Sequence, residues 1–331
     1  MSARDADVPA AEDFLSQAGP FRRELTAYCY RMLGSVHDAE DLVQETYLRG
    51  WRYYDRFEGR ASMRTWLYRI ATSVCLAALR NRERRPLPSG LGAPAGDPLD
   101  DHTERHDVPW LEPIPDDMAD PAAAVVARES VRLAFIAALQ HLPPRQRAVL
   151  ILRDVLNWHA AEVAQLLGTT TTAVHSALRR ARTQLGKVAP AADEIVEPSA
   201  ADQRRLLDRY VDAFTGKDVD AIVELFTADA IWEMPPFPVW FQGRAGIRDH
   251  LTLCCPLRAG EVQLHPTSAN GQPAFAAYLR GPDGSHRAAF IQVLTVTAAG
   301  ISHATLFQDP GLFPAFGLPP SLPARAMASA R

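Results

Sequence analysis

The segment WHAAEVAQLLGTTTTAVHSALRRARTQL, residues 158–185, contains two helical patterns that meet at one glycine. Gly168 should end the first helix, because glycine readily adopts the left-handed conformation that closes a helix. The threonines that follow can cap a second helix that begins near Thr171 or Thr172. Apolar residues recur along that second helix at the spacing of one buried face: Val174, Ala177, Leu178, Ala181 and Leu185. The segment therefore predicts a helix-turn-helix.

The other side of the second helix is polar and basic, and the run LRRARTQLGK, residues 178–187, contains no acidic residue. Arginine can bind phosphates or guanine edges, and short hydroxyl side chains let the backbone approach a groove. The alternative is a solvated basic face on an ordinary helical hairpin. The glycine-centred turn and the lack of acids favour DNA binding, for which we predict these residues: Thr171, Thr172, His175, Ser176, Arg179, Arg180 and Arg182.

The composition fits an intracellular protein of two or three domains. With 331 residues and a formal net charge of −4, any DNA contact must come from local basic patches. The N-terminus lacks the features of a signal peptide, and no apolar run approaches the roughly 18 residues of a membrane span. We therefore expect a cytoplasmic protein without a membrane segment, monomeric when free.

The chain contains four cysteines, Cys29, Cys75, Cys254 and Cys255. They form no CxxC pair and no Cys/His spacing that suits zinc, so we predict reduced thiols, no metal site and no cofactor. The adjacent Cys254 and Cys255 leave a redox sensor as an alternative.

Shifts in composition divide the chain into successive parts. The interdomain linker is dense in Pro, Gly and Asp, and residues 97–120 contain nine acidic residues but a single arginine, Arg105. Such a segment should be extended and negatively charged. The last domain opens with a helix and continues with short β-like runs, which indicates an α+β fold. The predicted parts are helical 18–85, linker 86–121, helical 122–189, α+β 200–310 and an apolar tail 311–331.

The first helical block combines an acidic helix with a region rich in aromatic residues and arginine. The helix DAEDLVQETYLRGW, residues 38–51, has an apolar stripe and an acidic edge. Aromatic residues among cations suit stacking on unpaired bases, although core packing uses the same residue types. We expect the acidic edge to be exposed and to consist of Asp38, Asp41, Gln44 and Glu45.

The order of the motifs resembles the extracytoplasmic-function group of sigma-70-type sigma factors. DAEDLVQETYLRGW is followed by FEGRASMRTWLYRIATSVCLAALR, residues 57–80, then by LPPRQRAVLILRDVL, residues 142–156, and the helix-turn-helix. The resemblance covers about residues 18–189. It implies two all-α helical domains, binding to core RNA polymerase and promoter DNA, and a role in transcription initiation.

The resemblance also implies roles for individual residues. Asp38, Asp41, Gln44 and Glu45 would contact the β′ clamp, the helix-turn-helix would read the −35 element next to the β flap, and the acidic linker would thread polymerase channels. Ser73 and Ala77 depart from the family pattern ATNxCLDALR, which has Asn and Asp at these two positions of the −10 reader. The −10 element would be read by Phe57, Arg60, Ser62, Arg64, Trp66, Arg69, Ser73 and Arg80.

Residues 203–310 resemble the SnoaL-like, polyketide-cyclase-type α+β cones, a superfamily that includes ketosteroid isomerase. The opening helix, the segment FQGRAGIRDHL at 241–251 and the closing strands carry this resemblance. The cone should bind either a small-molecule ligand or another part of the protein, and plain core packing is equally compatible with its aromatic residues. The tail LFPAFGLPP should fold back on the sigma domains or on the cone. The expected wall of a pocket is Trp232, Met234, Phe237, Trp240 and Phe241.

Enzymes of the cone superfamily use an Asp or a His as general base. The acid and base candidates of this chain do not assemble into a matching dyad, so we expect a regulatory cone and no enzyme. Two alternatives remain: a helix-turn-helix transcription factor that does not enter polymerase, and a cyclase or isomerase with a DNA-binding appendage. The candidates are Asp229, Asp249, His250, His265, Tyr278, His286 and His303.

Overall fold

A computed structural model describes residues 7–97, 99, 103–118, 132–188 and 198–323. The chain forms two compact units. The helical unit comprises Met1–Arg85 and Asp116–Pro190, and the cone unit comprises Pro86–Pro115 and Ala191–Arg331. The predicted start and end of the second helical domain, and the last residues of the apolar tail, lie outside the described residues.

The first half of the helical unit consists of helices joined by short, capped turns. Gly34 has φ 73° at the end of the second helix, and the Ser35 hydroxyl accepts a hydrogen bond from Asp38 N at 3.1 Å to cap the third. Ser62 caps the fourth helix by accepting from Thr65 N at 3.1 Å. The helices are α1 (Asp7–Ala18), α2 (Arg22–Leu33), α3 (Val36–Arg52) and α4 (Met63–Ala78).

The second half contains the predicted helix-turn-helix. Gly168 has φ 60° after the first helix of the motif, and Thr170 Oγ1 accepts from Ala173 N at 3.2 Å. Val174, Leu178 and Ala181 are buried, as the apolar face predicts. The fold prediction is therefore confirmed here. The elements are α5 (Leu133–Leu139), α6 (Pro144–Leu150), a π-helical segment (Ile151–Val155), α7 (Ala160–Leu167) and α8 (Thr171–Val188).

A buried arginine joins the two halves of the helical unit. The Arg147 guanidinium donates to Met32 O in the first half, and to Gln140 Oε1 at 2.8 Å and Leu142 O at 3.2 Å in the second. Burial lowers the pKa of Arg147 to about 10, so the side chain remains charged at neutral pH. The ring of Tyr68 in the first half also packs against the ring of Trp158 in the second half, with centroids 5.1 Å apart.

The cone unit has the α+β fold predicted for it. The helices are α9 (Ala200–Gly216), α10 (Val219–Glu224) and α11 (Gly243–Leu253). The strands are β1 (Phe226–Glu233), β2 (Trp240–Gln242), β3 (Val262–Ala269), β4 (Gln272–Arg280), β5 (His286–Thr297), β6 (Gly300–Phe307) and β7 (Ser321–Leu322). The sheet has the order β2-β1-β6-β5-β4-β3, with β1 and β6 parallel and the other pairs of this path antiparallel. The β-like runs expected of this domain, AFAAYLR, HRAAFIQVLTVT and GISHATLFQ, correspond to β4, β5 and β6.

Aromatic side chains fill the cone between α9 and the sheet. Tyr210 on α9 is fully buried, its ring is 6.2 Å from that of Phe275, and its hydroxyl accepts a hydrogen bond from Gln292 Nε2 at 2.5 Å. The apolar tail packs on the cone as well, because Phe313 is fully buried against Tyr278, with centroids 5.2 Å apart. The strand β7 then pairs with the start of β5.

Candidate nucleic-acid and regulatory sites

One face of α3 is exposed along its whole length. Asp41 and Gln44 are exposed there, together with Leu48 and Trp51, whose exposed fractions are 55% and 44%. The spacings of three, four and three residues place all four side chains on one stripe. Leu48 and Trp51 were not among the predicted contact residues, although the continued helical spacing was the signal for them. Exposed apolar side chains beside acids are typical of a protein-binding surface.

The other two acids predicted for this edge are held within the helical unit. Asp38 is largely covered and accepts hydrogen bonds from Arg82 and, at 2.6 Å, from Arg85. Glu45 pairs with Arg49 one turn later, at 2.6 Å. Asp38 therefore departs from the predicted exposed edge, because two arginines that follow α4 neutralise it.

A second stripe follows α4 and the residues after it. Trp66, Arg69, Ser73 and Arg80 recur at helical spacing, and the last three of these are exposed. The Phe57 ring in the preceding loop packs against Trp66 with centroids 4.9 Å apart. This brings a partly exposed aromatic pair to the end of a basic stripe, where it can stack with bases.

The remaining residues predicted for −10 recognition have partners within the chain. Arg60 pairs with Glu58 in the exposed loop, and Ser62 caps α4. Arg64 Nε donates to both carboxylate oxygens of Glu24, at 2.9 and 3.0 Å, and its guanidinium lies 5.4 Å from the Trp158 ring centroid. Arg64 is therefore engaged between the two halves of the helical unit, and its role in −10 recognition stays a prediction.

The polar face of α8 presents the side chains predicted to bind DNA. Ser176 is half-buried, and Arg182 pairs with Asp154 at 2.7 Å, which holds its guanidinium on the helical unit. Arg179 and Arg180 line an open groove of about 550 Å³ with His141. The exposed members of the face are Thr171, Thr172, His175, Arg179, Arg180 and Arg182.

The interdomain segment 86–115, which we name the strap, lies on the cone. The fully buried Glu233 carboxylate accepts hydrogen bonds from Ser89 N of the strap at 2.9 Å, from His303 Nε2 at 2.6 Å and from Thr305 Oγ1 at 3.1 Å. Burial is the largest single influence on the pKa of Glu233 and raises it, but the attraction of His303 and the hydrogen bonds from His303 and Ser89 together outweigh burial and hold the pKa below the ordinary value of 4.5. The ionised Glu233 carboxylate therefore stabilises the cone at pH values above 4.5. This contribution to the free energy of unfolding is lost as the pH falls through the lowered pKa.

Backbone hydrogen bonds hold the strap at further points. Ala95 N donates to Trp240 O at 2.8 Å, and Trp240 Nε1 donates to Gly92 O at 3.2 Å. Near the end of the strap, Ile114 and Asn270 exchange two bonds: Ile114 N donates to Asn270 Oδ1 at 3.0 Å, and Asn270 N to Ile114 O at 2.9 Å. The Leu111 and Ile114 side chains are fully buried.

The strap is also closed on itself. Leu111 N donates to Pro86 O at 3.0 Å, so the residues between these two add nothing to the distance that the strap spans. The sequence predicted an extended linker for this segment, and the docked loop is a correction. Within PWLEPIPD, residues 109–116, Leu111 and Ile114 are fully buried, and Ile114 is hydrogen-bonded to Asn270 of the cone.

The cone contains a partly open cavity of about 460 Å³. Trp232, Met234 and Phe237 of the predicted wall line this cavity. Trp240 and Phe241 lie elsewhere: Trp240 binds the strap, and the Phe241 ring stacks on His250 with centroids 4.3 Å apart.

The acid and base candidates of the cone are dispersed. His250 lines the cavity, whereas His303 pairs with Glu233. His286 faces Gln263, and Tyr278 donates to Pro319 O at 3.0 Å. His265 packs on Tyr278, Asp229 accepts from Thr227 and Asp249 is exposed. Sequence reasoning missed Glu233, for which a single acid within the apolar stretch AIWEMPP was the signal.

The described residues contain neither a metal-binding cluster nor a membrane-spanning helix. No cluster of three or more His, Cys, Asp or Glu side chains there could hold a metal ion. Every helix described is too short or too polar to cross a lipid bilayer.

Family models match three parts of the chain. The model described as Sigma-70 region 2 matches residues 19–85, Sigma-70, region 4 matches residues 132–185, and the SnoaL-like domain matches residues 207–303. Two sigma-70 regions therefore precede a SnoaL-like domain, as the motifs predicted. SnoaL-like domains belong to a superfamily that includes enzymes, whereas sigma factors are not enzymes.

Relatives extend the match to almost the whole chain. The ECF RNA polymerase sigma factor SigG of Mycobacterium tuberculosis is 55% identical over 326 residues, which cover 97% of this chain and 88% of SigG. SigJ of the same organism is 32% identical over 220 residues, covering 65% of this chain and 62% of SigJ. The crystal structure of SigJ matches 92% of this chain and 100% of its own with a TM-score of 0.60 at 26% identity. The chain belongs to the extracytoplasmic-function family of RNA polymerase sigma factors, which are alternative sigma factors for transcription initiation.

Proposed function

We propose that this sigma factor binds core RNA polymerase through the exposed face of α3 and reads two promoter elements with the α4 stripe and with α8. The observation that carries the proposal is the separation of these surfaces into one acidic and apolar stripe and two basic stripes. The first suits a protein partner and the other two suit nucleic acid. The −10 element is read by the stripe around Trp66, and the −35 element by Arg179 and its neighbours.

We propose further that the cone regulates initiation by holding the strap. Promoter elements named −10 and −35 are about 25 base pairs apart, or about 85 Å at 3.4 Å per base pair. Within the helical unit α4 packs against α7, so the two DNA readers cannot occupy both elements at once. The halves must separate, and the strap forms the larger part of the covalent connection, residues 86–131, that must extend when they do. A strap closed by the Leu111–Pro86 bond cannot extend, and the cone stabilises this closed form.

The proposal as a whole is tested by reconstitution of the full chain with core polymerase, followed by mapping of transcription start sites and of the protected DNA. We expect start sites that share a −35 and a −10 element. Binding to a duplex operator without any association with core polymerase would instead identify an ordinary helix-turn-helix transcription factor.

Two arginines placed on the exposed face of α3 should abolish polymerase binding without unfolding the chain. Asp41→Arg combined with Leu48→Arg alters two exposed side chains, so stability should change little. We expect the affinity for core polymerase to fall at least about tenfold, as is typical of a lost interface anchor. The matched control is Leu15→Arg, which changes an equally exposed leucine on α1. Equal binding by both variants in a pull-down with core polymerase would exclude α3 as the docking face.

Two arginines on α8 should differ in their effect on promoter recognition. Arg179→Ala should weaken binding to the −35 element by about 1–3 kcal/mol if the side chain reads a base, with smaller losses on mismatched duplexes. Arg182→Ala removes a guanidinium that already pairs with Asp154, so its loss should be small and independent of sequence. Gel-shift titrations against matched and mismatched −35 duplexes measure both. A uniform loss for Arg179→Ala would reduce its role to a phosphate contact.

A further inference from the structure

One arginine on the polar face of α8 forms an ion pair with a carboxylate. Arg182 Nε donates to Asp154 Oδ2 at 2.8 Å, and Arg182 Nη2 donates to Asp154 Oδ1 at 2.7 Å. The paired Arg182 side chain is still 62% exposed. Arg179 and Arg180 of the same face have no carboxylate partner among the residues that the structure describes. Asp154 therefore cancels the charge of one arginine of this face and leaves the other two charged.

A hydrogen-bonded turn holds Asp154 in place. Asp154 belongs to the π-helical segment that continues α6, where Leu156 N donates to Ile151 O at 2.9 Å. The Arg153 guanidinium donates to Trp158 O and closes the turn that leads to α7. Such π-helical turns within α-helical segments frequently occur at functional sites. The backbone on both sides of Asp154 is thus held by hydrogen bonds, and the carboxylate is presented to α8.

The position of Arg182 along α8 indicates which part of a duplex it could contact. Arg182 follows Thr171, the first residue of α8, by about 16 Å along the helix axis. In helix-turn-helix proteins the residues that contact base edges lie at the N-terminal end of the recognition helix. Consecutive residues are about 100° apart, so Arg182 also flanks the polar face at Thr183. An unpaired arginine at this place would add a phosphate contact, which carries no sequence information.

From these observations we propose that Asp154 is a positioning residue that withholds Arg182 from DNA phosphates and so lowers the sequence-independent affinity of α8 for DNA. A phosphate can bind Arg182 only by displacing the carboxylate, which itself repels the phosphate. Fewer phosphates are then neutralised and fewer counterions are released. A smaller share of the free protein is bound to bulk DNA, and more is available to core polymerase. This inference rests on the proposed binding of α8 to DNA.

Asp154→Asn tests the inference because it removes the charge and keeps the shape of the side chain. The full-length protein is titrated with a duplex of arbitrary sequence by fluorescence anisotropy, at salt concentrations between about 50 and 200 mM. We expect the affinity to rise at least about threefold, and the slope of log K against log salt to steepen by about 0.9, the value for one added phosphate contact. Asp154→Glu keeps the carboxylate and should behave as the wild type.

The matched control is Asp41→Asn, which makes the same change in net charge on the exposed face of α3 and should leave both quantities unchanged. Equal effects of Asp154→Asn and Asp41→Asn would refute the role of Asp154. If the wild-type protein binds neither this duplex nor a mapped −35 duplex, α8 is not a DNA reader, and the inference is overturned together with the proposed function.

A double-mutant cycle shows whether the effect passes through Arg182. In an Arg182→Ala background, Asp154→Asn should no longer raise the affinity or steepen the salt dependence, because the arginine that it releases is absent. A gain that persists in this background would mean that Asp154 acts by general repulsion and not through the pair. Weaker binding by Asp154→Asn alone would show that Asp154 presents Arg182 to DNA, the opposite of the proposed role. The pair is exposed, so all variants should remain folded.

Discussion

Ile114→Asp should release the strap from the cone and raise transcription from a target promoter severalfold. Ile114 is fully buried and its backbone is hydrogen-bonded to Asn270 of the cone, and burying an unpaired carboxylate there would cost several kcal/mol. Once the strap is released, the new carboxylate lies in water and resembles the other acids of the segment. The variant therefore favours the undocked strap and leaves the residues of the cone intact.

The matched control is Leu91→Asp, which introduces the same charge at an exposed position of the same segment. Hydrogen exchange reports docking directly, because Ser89, Ala95 and Ile114 donate their amide protons to cone atoms. These amides should lose protection at least about tenfold in Ile114→Asp, equivalent to 1.4 kcal/mol or more of docking free energy, and not in Leu91→Asp. Run-off transcription with core polymerase then measures the effect on initiation. If protection is lost but both variants transcribe equally, the strap does not regulate initiation.

A substitution in the cone tests the contact between the strap and the cone independently. Asn270→Ala removes the side-chain acceptor of Ile114 N, and the backbone of Asn270 already has the unusual φ of 57° that favours asparagine over alanine. This variant should release only the end of the strap. It should therefore raise transcription less than Ile114→Asp does.

Arg147→Leu should strongly lower the free energy of unfolding of the helical unit. The variant leaves the carbonyls of Met32 and Leu142 and the Gln140 side chain without their shared donor. A buried polar group left without its hydrogen-bond partner typically costs about 1–3 kcal/mol, so the loss of several bonds at once should lower the free energy of unfolding by more than a single such group. Denaturant unfolding of the full chain, followed by far-UV circular dichroism, measures this loss in the transition that removes most of the helix signal.

Arg145→Leu on the same helix is the control, because Arg145 is exposed and its replacement should change stability by less than about 0.5 kcal/mol. Arg147→Lys should fall between the two, since it keeps the charge but cannot reach all the acceptors with a single ammonium group. If Arg147→Leu and Arg145→Leu unfold at the same denaturant concentration, Arg147 does not join the halves of the unit.

Local patterns predicted the helix-turn-helix and the strands because their signals lie within a few residues of each other. Gly168 and Thr170 end and begin helices through their own backbone and hydroxyl groups. Val174, Leu178 and Ala181 are buried as their spacing requires. The runs that became β4, β5 and β6 likewise carry their β-propensity in their own residues.

Contacts between distant parts of the sequence could not be predicted in the same way. The partners of Arg64 and Asp38 lie 40 or more residues away, so the sequence cannot distinguish a free basic or acidic side chain from a paired one. The strap shows this most clearly, since Leu111 and Ile114 lie among prolines and acids without any periodicity. Their burial depends on a cone surface that is encoded much later in the chain.

This order in the chain has a consequence during synthesis on the ribosome. The bonds that Ser89 and Ile114 make with the cone connect residues that are 144 and 156 positions apart. At about 5–20 residues per second, a ribosome needs roughly 7 to 30 s to add that length. Both sigma regions and the strap are therefore synthesised before the cone surface that holds the strap. In each new molecule the strap is therefore undocked at first, and the cone can hold it only after translation of the cone is complete.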